Sequence, residues 1–322
     1  MSQPEITTPN YTLLDLIKYF IKLGTTGFGG PVALVSYMQN DLVETRKWIS
    51  ESDFKEGLAL SQLAPGPLAA QLGIYIGYVH YGILGATVSG FAFVLPSFIM
   101  VILIGIAYQA YGSLPWMQAI FYGVSAAVIG IIVMSSYKLT IKSISKFEIS
   151  AIKNNWLLWI FYIVATILTA VTQKEELLLF VILGFIYMTV KAPPEWIKRP
   201  KTVSSFMLIT AGFSSIELER LGELAWFFVK AGAFVFGSGL AIVPFLHAGV
   251  VTEHHWLNEN QFVDSVAVAM ITPGPVVITV AFIGYLVEGF AGATVAALGV
   301  FLPCYLFTVI PAPYFKKISQ NN

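Results

Sequence analysis

The stretch LALSQLAPGPLAAQLGIYIGY, residues 58–78, decides the fold because it breaks an apolar segment in its middle. Proline removes a backbone donor and glycine permits non-helical dihedral angles, so Pro65-Gly66-Pro67 predicts an interrupted helix. Unpaired backbone groups are costly in lipid, so such a break is stable only inside a protein or beside a water-filled cavity. A second stretch, TPGPVVITVAFIGY at residues 272–285, carries the same break.

These two stretches belong to an internal repeat. A shift of 208 residues (273 minus 65) places Pro65 on Pro273 and Trp48 on Trp256. A common register across two PGP motifs and two tryptophans indicates a duplication. Further matches in this register, or one residue from it, are Phe28 with Phe236, Gly85 with Gly292 and Pro96 with Pro303.

The composition is that of a membrane protein. Of the 322 residues, 57% are hydrophobic and 11% are charged, whereas about 25% of residues are charged in soluble domains. The mean hydropathy is +0.75. The 18 basic and 18 acidic residues cancel, which argues against nucleic acid as a partner and leaves membrane lipid as the expected surroundings.

The apolar segments predict an all-α polytopic fold. A helix needs about 20 residues to cross the hydrocarbon. Uninterrupted candidates are 84–108, 116–137, 155–172, 176–191 and 289–312, and interrupted ones are 11–39, 54–79, 220–250 and 262–287. We therefore expect an N-terminal transport repeat at 11–137, connecting helices at 138–201 and a C-terminal repeat at 218–315.

The lysines and arginines predict the orientation. Short basic loops stay in the cytoplasm, which places 138–153, 191–201 and the tail with Lys316 and Lys317 inside. The two halves then run in opposite directions, an inverted-topology plan typical of secondary transporters. The same count makes 220–250, and by symmetry 11–39, a re-entrant hairpin or two short spans.

The breaks are the candidate substrate site. A helix that restarts after a break points unpaired amides and a partial positive charge into it, which suits an anion. An alternative is that these small residues only allow close helix packing. The candidate binding residues of the breaks are Gly29, Gly30, Gly66, Pro67, Gly237, Gly239, Gly274 and Pro275.

Polar side chains near the breaks extend this site. Lys22 and its repeat partner Lys230 are candidates to face one dianion, or else reach the interface. Gln62 and Gln71 flank the first PGP motif and can donate to oxyanion oxygens, or serve packing alone. The candidates for coupling or gating, each of which has a solvated surface charge as its alternative, are Asp15, Arg46, Glu56, Glu223, Glu253 and Asp264.

Catalytic and metal chemistry are not expected. The pair His254-His255 has no further ligand at metal-site spacing. The GxxxxGK[ST], GxSxG and HExxH motifs are absent, so we expect no ATP hydrolysis, no catalytic residues and no cofactor.

The combination of motifs resembles the chromate ion transporter family in its fused two-repeat form. The first half carries LGTTGFGGPVAL at 23–34, Arg46-Lys47-Trp48 and the stretch at 58–78. The second half carries FGSGLAIVPFL at 236–246 and the stretch at 272–285. The resemblance implies export of chromate across the inner membrane of a bacterium or archaeon by a multi-pass protein, with resistance as the result and proton coupling often proposed.

This sequence departs from the family pattern in places. Leu34, Ser238 and Met270 stand where the family usually has histidine, glycine and glutamine. Relatives with two fused halves usually continue further, and this chain has no second counterpart to 116–137, so we expect it to be short at its C terminus. A homodimer that supplies the missing helices is an open alternative.

Three functions are left open. The leading one is a secondary carrier, an antiporter if proton-coupled, for chromate or a similar tetrahedral oxyanion. Sulfate or another anion is the alternative substrate. An anion channel with the breaks as pore loops is the alternative of another class, and a membrane-embedded enzyme comes third.

Overall fold

The computed structural model describes residues 10–112, 114–145, 153, 155–172, 177–191, 220–234, 236–237 and 242–319. The chain divides into two compact units, residues 1–129 with 219–322, and residues 130–218. The predicted connecting segment, 138–201, lies within the bounds of the second unit.

The described elements are nearly all helical. The first half contains α1 (Leu13–Thr26), α2 (Gly30–Met38), a π-helical turn (Gln39–Thr45), α3 (Glu51–Leu63), the short strand β1 (Gly66–Pro67), α4 (Leu68–Tyr111) and α5 (Pro115–Ser143). Next come α6 (Trp156–Thr172) and α7 (Leu177–Lys191). The second half contains α8 (Arg220–Phe234), β2 (Phe236–Gly237), α9 (Ile242–His247), a π-helical turn (Ala248–Glu253), α10 (Glu259–Ile271), a 3-10 turn (Val276–Ile278), α11 (Thr279–Val309) and α12 (Ala312–Ser319).

Local sequence sets where these helices begin. Thr12 caps α1, because its hydroxyl accepts from the Asp15 amide and the Asp15 carboxylate accepts from the Thr12 amide. Asn258 and Gln261 form the same reciprocal capping box at the start of α10. Such caps stabilise a helix end by roughly 1 kcal/mol.

The two halves share unusual backbone at matched positions. Lys47 and His255, 208 residues apart (255 minus 47), have positive φ angles of 53° and 52°. Gly82 and Gly289, which are 207 residues apart (289 minus 82) and so one residue from that register, have φ angles of 57° and 59°. Positive φ is uncommon outside glycine, so the duplication in the sequence extends to the backbone.

Gly82 and Gly289 turn α4 and α11 into hairpins. Gly77 lies so close to Gly85 that a Cβ on it would overlap the Gly85 carbonyl, and Gly284 stands in the same relation to Gly292. Residues eight apart touch only if the chain reverses. Each of α4 and α11 therefore has two antiparallel arms, 68–81 and 83–111 in α4, and 279–287 and 290–309 in α11.

The long second arms carry the membrane signal. Leu68–Tyr111 and Val276–Phe315 are the described helices that are long and apolar enough to cross a membrane, judged by length and composition. An arm of 83–111 measures about 43 Å at 1.5 Å per residue, which exceeds the roughly 30 Å of hydrocarbon. The first arms are too short to cross.

The second arms of α4 and α11 pack against each other and run in opposite directions. The Thr87 hydroxyl lies 2.7 Å from the Tyr305 hydroxyl, and the Phe98 ring lies 6.2 Å from the Phe290 ring. A contact that lies later along the α4 arm thus lies earlier along the α11 arm, as in an antiparallel pair.

The chain before each long arm folds back twice. In the first half, Tyr11 stacks on Trp48 at 4.7 Å and its carbonyl accepts from the Tyr81 hydroxyl at 2.5 Å. In the second half, Arg220 pairs with Glu288 at 3.2 Å. These contacts join residues distant in sequence at one end of each half, which we call its base. The breaks between those residues therefore lie at the opposite ends of helical hairpins.

Candidate functional site

The PGP turn of each half lies beside the glycine-rich turn of the other half. Strand β1 pairs in parallel with β2, with Gly66 opposite Phe236 and Pro67 opposite Gly237. In the reciprocal position, the Gly274 amide donates to the Gly27 carbonyl at 2.8 Å. The breaks predicted as binding backbone therefore meet in two pairs, and each pair joins the two halves.

Both PGP turns are buried and depend on glycine. Gly66 and Gly274 have φ angles of 135° and 98°, a region that side-chain-bearing residues rarely adopt. Gly66, Pro67, Gly274 and Pro275 are all buried. The chain becomes helical immediately after each turn, at Leu68 in α4 and at Val276 in the 3-10 turn, so the first amides of both segments lie at the break.

Ser97 holds the second PGP turn. Its hydroxyl lies 2.8 Å from the Pro273 carbonyl and 3.2 Å from the Gly24 carbonyl, and it donates its one proton to these acceptors. A Cβ on Gly274 would overlap this hydroxyl. Ser97 is fully buried on the second arm of α4, so it ties the second-half turn to two elements of the first half.

Cys304 occupies the matched position against the first PGP turn. It is fully buried, and a Cβ on Gly66 would lie 3.2 Å from the Cys304 Cβ. Sequence reasoning missed both Ser97 and Cys304. The available signal was that each directly follows a matched proline, Pro96 or Pro303, inside an apolar arm.

Gln71 supports the first PGP turn from within α4. Its side-chain amide donates to the Pro65 carbonyl at 2.7 Å, and the residue is fully buried. Its Oε1 atom has no hydrogen-bond donor among the described residues. The matched residue Thr279 bonds instead to its own turn, at the Val276 carbonyl. The two turns are thus held by different bonds at this position.

The other predicted binding residues lie in varied surroundings. Lys22 is exposed on α1 and Lys230 is half-buried on α8. Gln62 is exposed near the end of α3. Gly29 and Gly30 form the turn into α2 with φ angles of 107° and 75°. Gly237 belongs to β2, and Gly239 lies outside the described residues.

The predicted coupling residues also differ in their contacts. Asp264 accepts from the Tyr108 hydroxyl at 2.8 Å and lies 3.5 Å from the Ser125 hydroxyl. Its repeat partner Glu56 is half-buried, and its Oε1 atom meets no donor within the described residues. These two carboxylates are matched in sequence (264 minus 56 is 208), and each interacts with a tyrosine side chain, Tyr108 at Asp264 and Tyr75 at Glu56.

The remaining charged candidates lie at the bases of the hairpins. Arg46 stacks on the Trp48 ring at 4.6 Å, a cation–π contact, and Asp15 serves in the cap of α1. Glu223 and Glu253 are exposed. Within the described ranges, no group of three or more His, Cys, Asp or Glu residues is placed to hold a metal ion.

Comparison with known proteins identifies close relatives. The sequence profile of a family described as "Chromate transporter" matches residues 14–189 and 222–322. The chain is 59% identical to the "Chromate transport protein" of Cupriavidus metallidurans over 98% of its own length and 77% of the relative's. It is 57% identical to the "Probable chromate transport protein" of Synechococcus elongatus, over 97% of this chain and 79% of that one.

More distant similarity extends to archaea. An "Uncharacterized transporter" of Methanocaldococcus jannaschii is 30% identical over 97% of this chain and 79% of its own length. No solved structure matches. The relatives are transporters by name, which agrees with a membrane protein of a transport family rather than an enzyme family.

Proposed function

Because this chain belongs to the chromate transporter family, we propose that it carries chromate, or a similar tetrahedral oxyanion, across the membrane as a secondary transporter. The observation that supports this most is the meeting of PGP and glycine-rich turns from opposite halves. Broken helices near a repeat interface are the usual construction of a substrate site in such carriers.

Backbone amides provide the anion binding in this proposal. The segments that start at Leu68 and Val276 direct their first amides and a partial positive charge toward the breaks. Lys22 and Lys230 add positive charge from α1 and α8. Neither PGP motif contains an acidic residue, which favours an anion over a cation as the substrate.

The same proposal includes an inverted arrangement of the halves in a bacterial or archaeal inner membrane. The antiparallel second arms of α4 and α11 support it, as do the basic residues predicted to be cytoplasmic. In this arrangement the hairpins before each arm are re-entrant. The shared site between the halves then opens to one side of the membrane at a time, which is alternating access.

Export, with a proton moving in the opposite direction, is the direction we propose. Glu56 and Asp264 are the carboxylates we assign to coupling, because both are half-buried on the helices that lead to the PGP turns. Export would give the cell resistance to chromate.

Uptake of labelled chromate into inverted membrane vesicles tests the function. We expect saturable uptake that shows counterflow and falls when the proton gradient is collapsed. The extent to which excess sulfate lowers chromate uptake measures the selectivity for chromate over sulfate. Absence of chromate uptake under every gradient would contradict the substrate. Single-channel currents without saturation would contradict the carrier mechanism.

A further inference from the structure

The side-chain amide of Gln71 has a fixed orientation at the first PGP turn. Its Nε2 atom donates to the Pro65 carbonyl at 2.7 Å. A reversed amide would place Oε1 against that carbonyl, and two acceptors repel each other, so the bond to Pro65 determines which atom is which. Oε1 is then the unpaired end of a fully buried side chain, since no donor of the described residues reaches it.

This unpaired acceptor lies beside the backbone of the turn. A Cβ on Gly66 would lie 3.1 Å from Gln71 Cδ, and Oε1 is one carbonyl bond, about 1.2 Å, from that Cδ. Gln71 also belongs to the first turn of α4, which starts at Leu68. The leading amides of that turn are the anion donors of the proposed function. One acceptor and several donors therefore share the same helix end.

A buried acceptor without a partner needs a physical explanation. It costs about 1–3 kcal/mol, because the group gives up water and gains no bond in exchange. Support of the Pro65 carbonyl uses only Nε2, so it does not account for Oε1. A ligand that binds at the turn and carries its own hydrogen-bond donor does account for it.

The second PGP turn has no matching amide. Thr279 stands at the repeat position of Gln71 (279 minus 71 is 208), and its hydroxyl donates to the Val276 carbonyl at 2.8 Å. The Ser97 hydroxyl likewise donates within the protein, to carbonyls beside that turn. The side-chain acceptor is therefore a property of the first turn, and a single bound anion would meet it once.

An acceptor at an anion site distinguishes protonated from fully ionised oxyanions. Every oxygen of a fully ionised oxyanion is an acceptor, so such an ion repels Oε1, whereas an ion that keeps one proton donates it. Hydrogen chromate keeps its proton until close to neutral pH, whereas sulfate and selenate have lost theirs in much stronger acid. A single charge also costs less to remove from water than a double charge.

We propose that the first PGP turn prefers a singly protonated oxyanion, hydrogen chromate in the case of chromate, whose hydroxyl group donates to Gln71 Oε1. The other oxygens of the ion accept from the leading amides of α4. Oε1 is enclosed in the conformation described, so the ion reaches it when the turns separate in the transport cycle. This inference rests on the proposed transport function and adds to it the protonation state of the substrate and the residue that recognises it.

Calorimetric titration of the purified protein tests this preference at two pH values, one unit below and one unit above the pKa of hydrogen chromate. The protonated fraction falls about tenfold between them, so the apparent Kd for total chromate should rise about tenfold relative to that for selenate. Selenate is the control because it is a tetrahedral dianion at both pH values, and it should bind more weakly than chromate. Chromate is kept dilute so that dichromate does not form.

Selenate also measures the titration of the protein itself. Ionisable side chains occur on α4 and on the helices that contact α4 or β1, among them Lys22, Glu56, Tyr75, Lys230, Asp264 and Cys304. A change in their charge alters the binding of both anions, whereas loss of the substrate proton affects chromate alone. The ratio of the two affinities therefore isolates the proton on the substrate.

Two variants assign the preference to Gln71. Gln71→Met removes the acceptor at a similar side-chain length, and the tenfold change of the chromate-to-selenate ratio should shrink to less than about threefold. Thr279→Val is the matched control in the second turn, because it loses the bond to Val276 but leaves Oε1 in place, and it should keep the tenfold change. If Gln71 only supports Pro65, Gln71→Met weakens both anions equally and the tenfold change remains, which would overturn the role of Oε1.

The unchanged chain gives a decisive result even if a variant does not fold. A chromate-to-selenate ratio that is the same at both pH values, or selenate bound as tightly as chromate, would overturn the preference for the protonated ion while leaving chromate transport standing. Binding of neither anion at either pH would contradict the proposed function, and this inference with it.

Discussion

The two PGP turns have the same backbone plan but are held by different side chains. The first turn is braced by Gln71 from its own half and lies against Cys304. The second is held by Ser97 of the opposite half, through a hydrogen bond to the Pro273 carbonyl. The duplication has thus kept the break and allowed its supports to diverge, so the site that we propose has two unequal sides.

The largest expected effect tests whether the two sides act on one anion. Reversal of both lysines, Lys22→Glu with Lys230→Glu, should lower chromate uptake about 100-fold or more, since each lost charged contact is worth roughly 1.5–3 kcal/mol. Vesicle uptake and membrane yield are the measurements. Lys18→Glu, which changes an exposed lysine on the same helix as Lys22, is the control. Normal uptake by the double variant would remove both lysines from the site.

The next effect compares a site glycine with a hairpin glycine. Gly274→Ala should abolish most transport, because a Cβ there overlaps Ser97 and the left-handed conformation costs about 1–2 kcal/mol more for alanine. Gly82→Ala has backbone strain without any overlap, since its φ of 57° and ψ of −145° suit essentially glycine alone and no atom lies within 4 Å of its added Cβ. Uptake should therefore fall much further in Gly274→Ala. Equal losses would mean that strain alone, and not the packing of the turn, matters.

A smaller effect separates the two carboxylates. Asp264→Asn and Glu56→Gln should each reduce the response of uptake to a proton gradient several-fold while chromate counterflow continues. Asp264 is already held by Tyr108 and Ser125, so its replacement should also lower thermal stability more than that of Glu56. Stimulation by the gradient that persists in both variants would exclude these residues from coupling.

The smallest effect exchanges the supports of the two turns. Ser97→Ala removes one buried hydrogen bond, worth about 1 kcal/mol net, and should lower the melting temperature by a few degrees. Ser97→Cys makes the second turn resemble the first, where Cys304 stands, and should cost less. A larger loss in Ser97→Cys than in Ser97→Ala would argue that volume, rather than the hydrogen bond, controls this contact.

Much of the fold could be predicted from the sequence, because its signals are local. The predicted spans 84–108 and 289–312 fall within or close to the second arms of α4 and α11. The breaks at Pro65-Gly66-Pro67 and Pro273-Gly274-Pro275 end helices where proline and glycine chemistry requires.

The pairing of the turns could not be predicted in the same way. That the Gly274 amide meets Gly27, and that Gly66 meets Phe236, depends on contacts between residues about 170–250 positions apart. The same limit applies to Ser97 and to the bond between Tyr108 and Asp264. An apolar pattern reveals which residues are buried, but not which buried residues meet.

Binding stoichiometry tests the central claim most directly. Calorimetric titration of the purified protein with chromate should give one anion per chain, and Gly66→Ala or Gly274→Ala alone should abolish that binding, because both turns contribute to one site. Two anions per chain, or one anion retained when either turn is altered, would contradict a shared site.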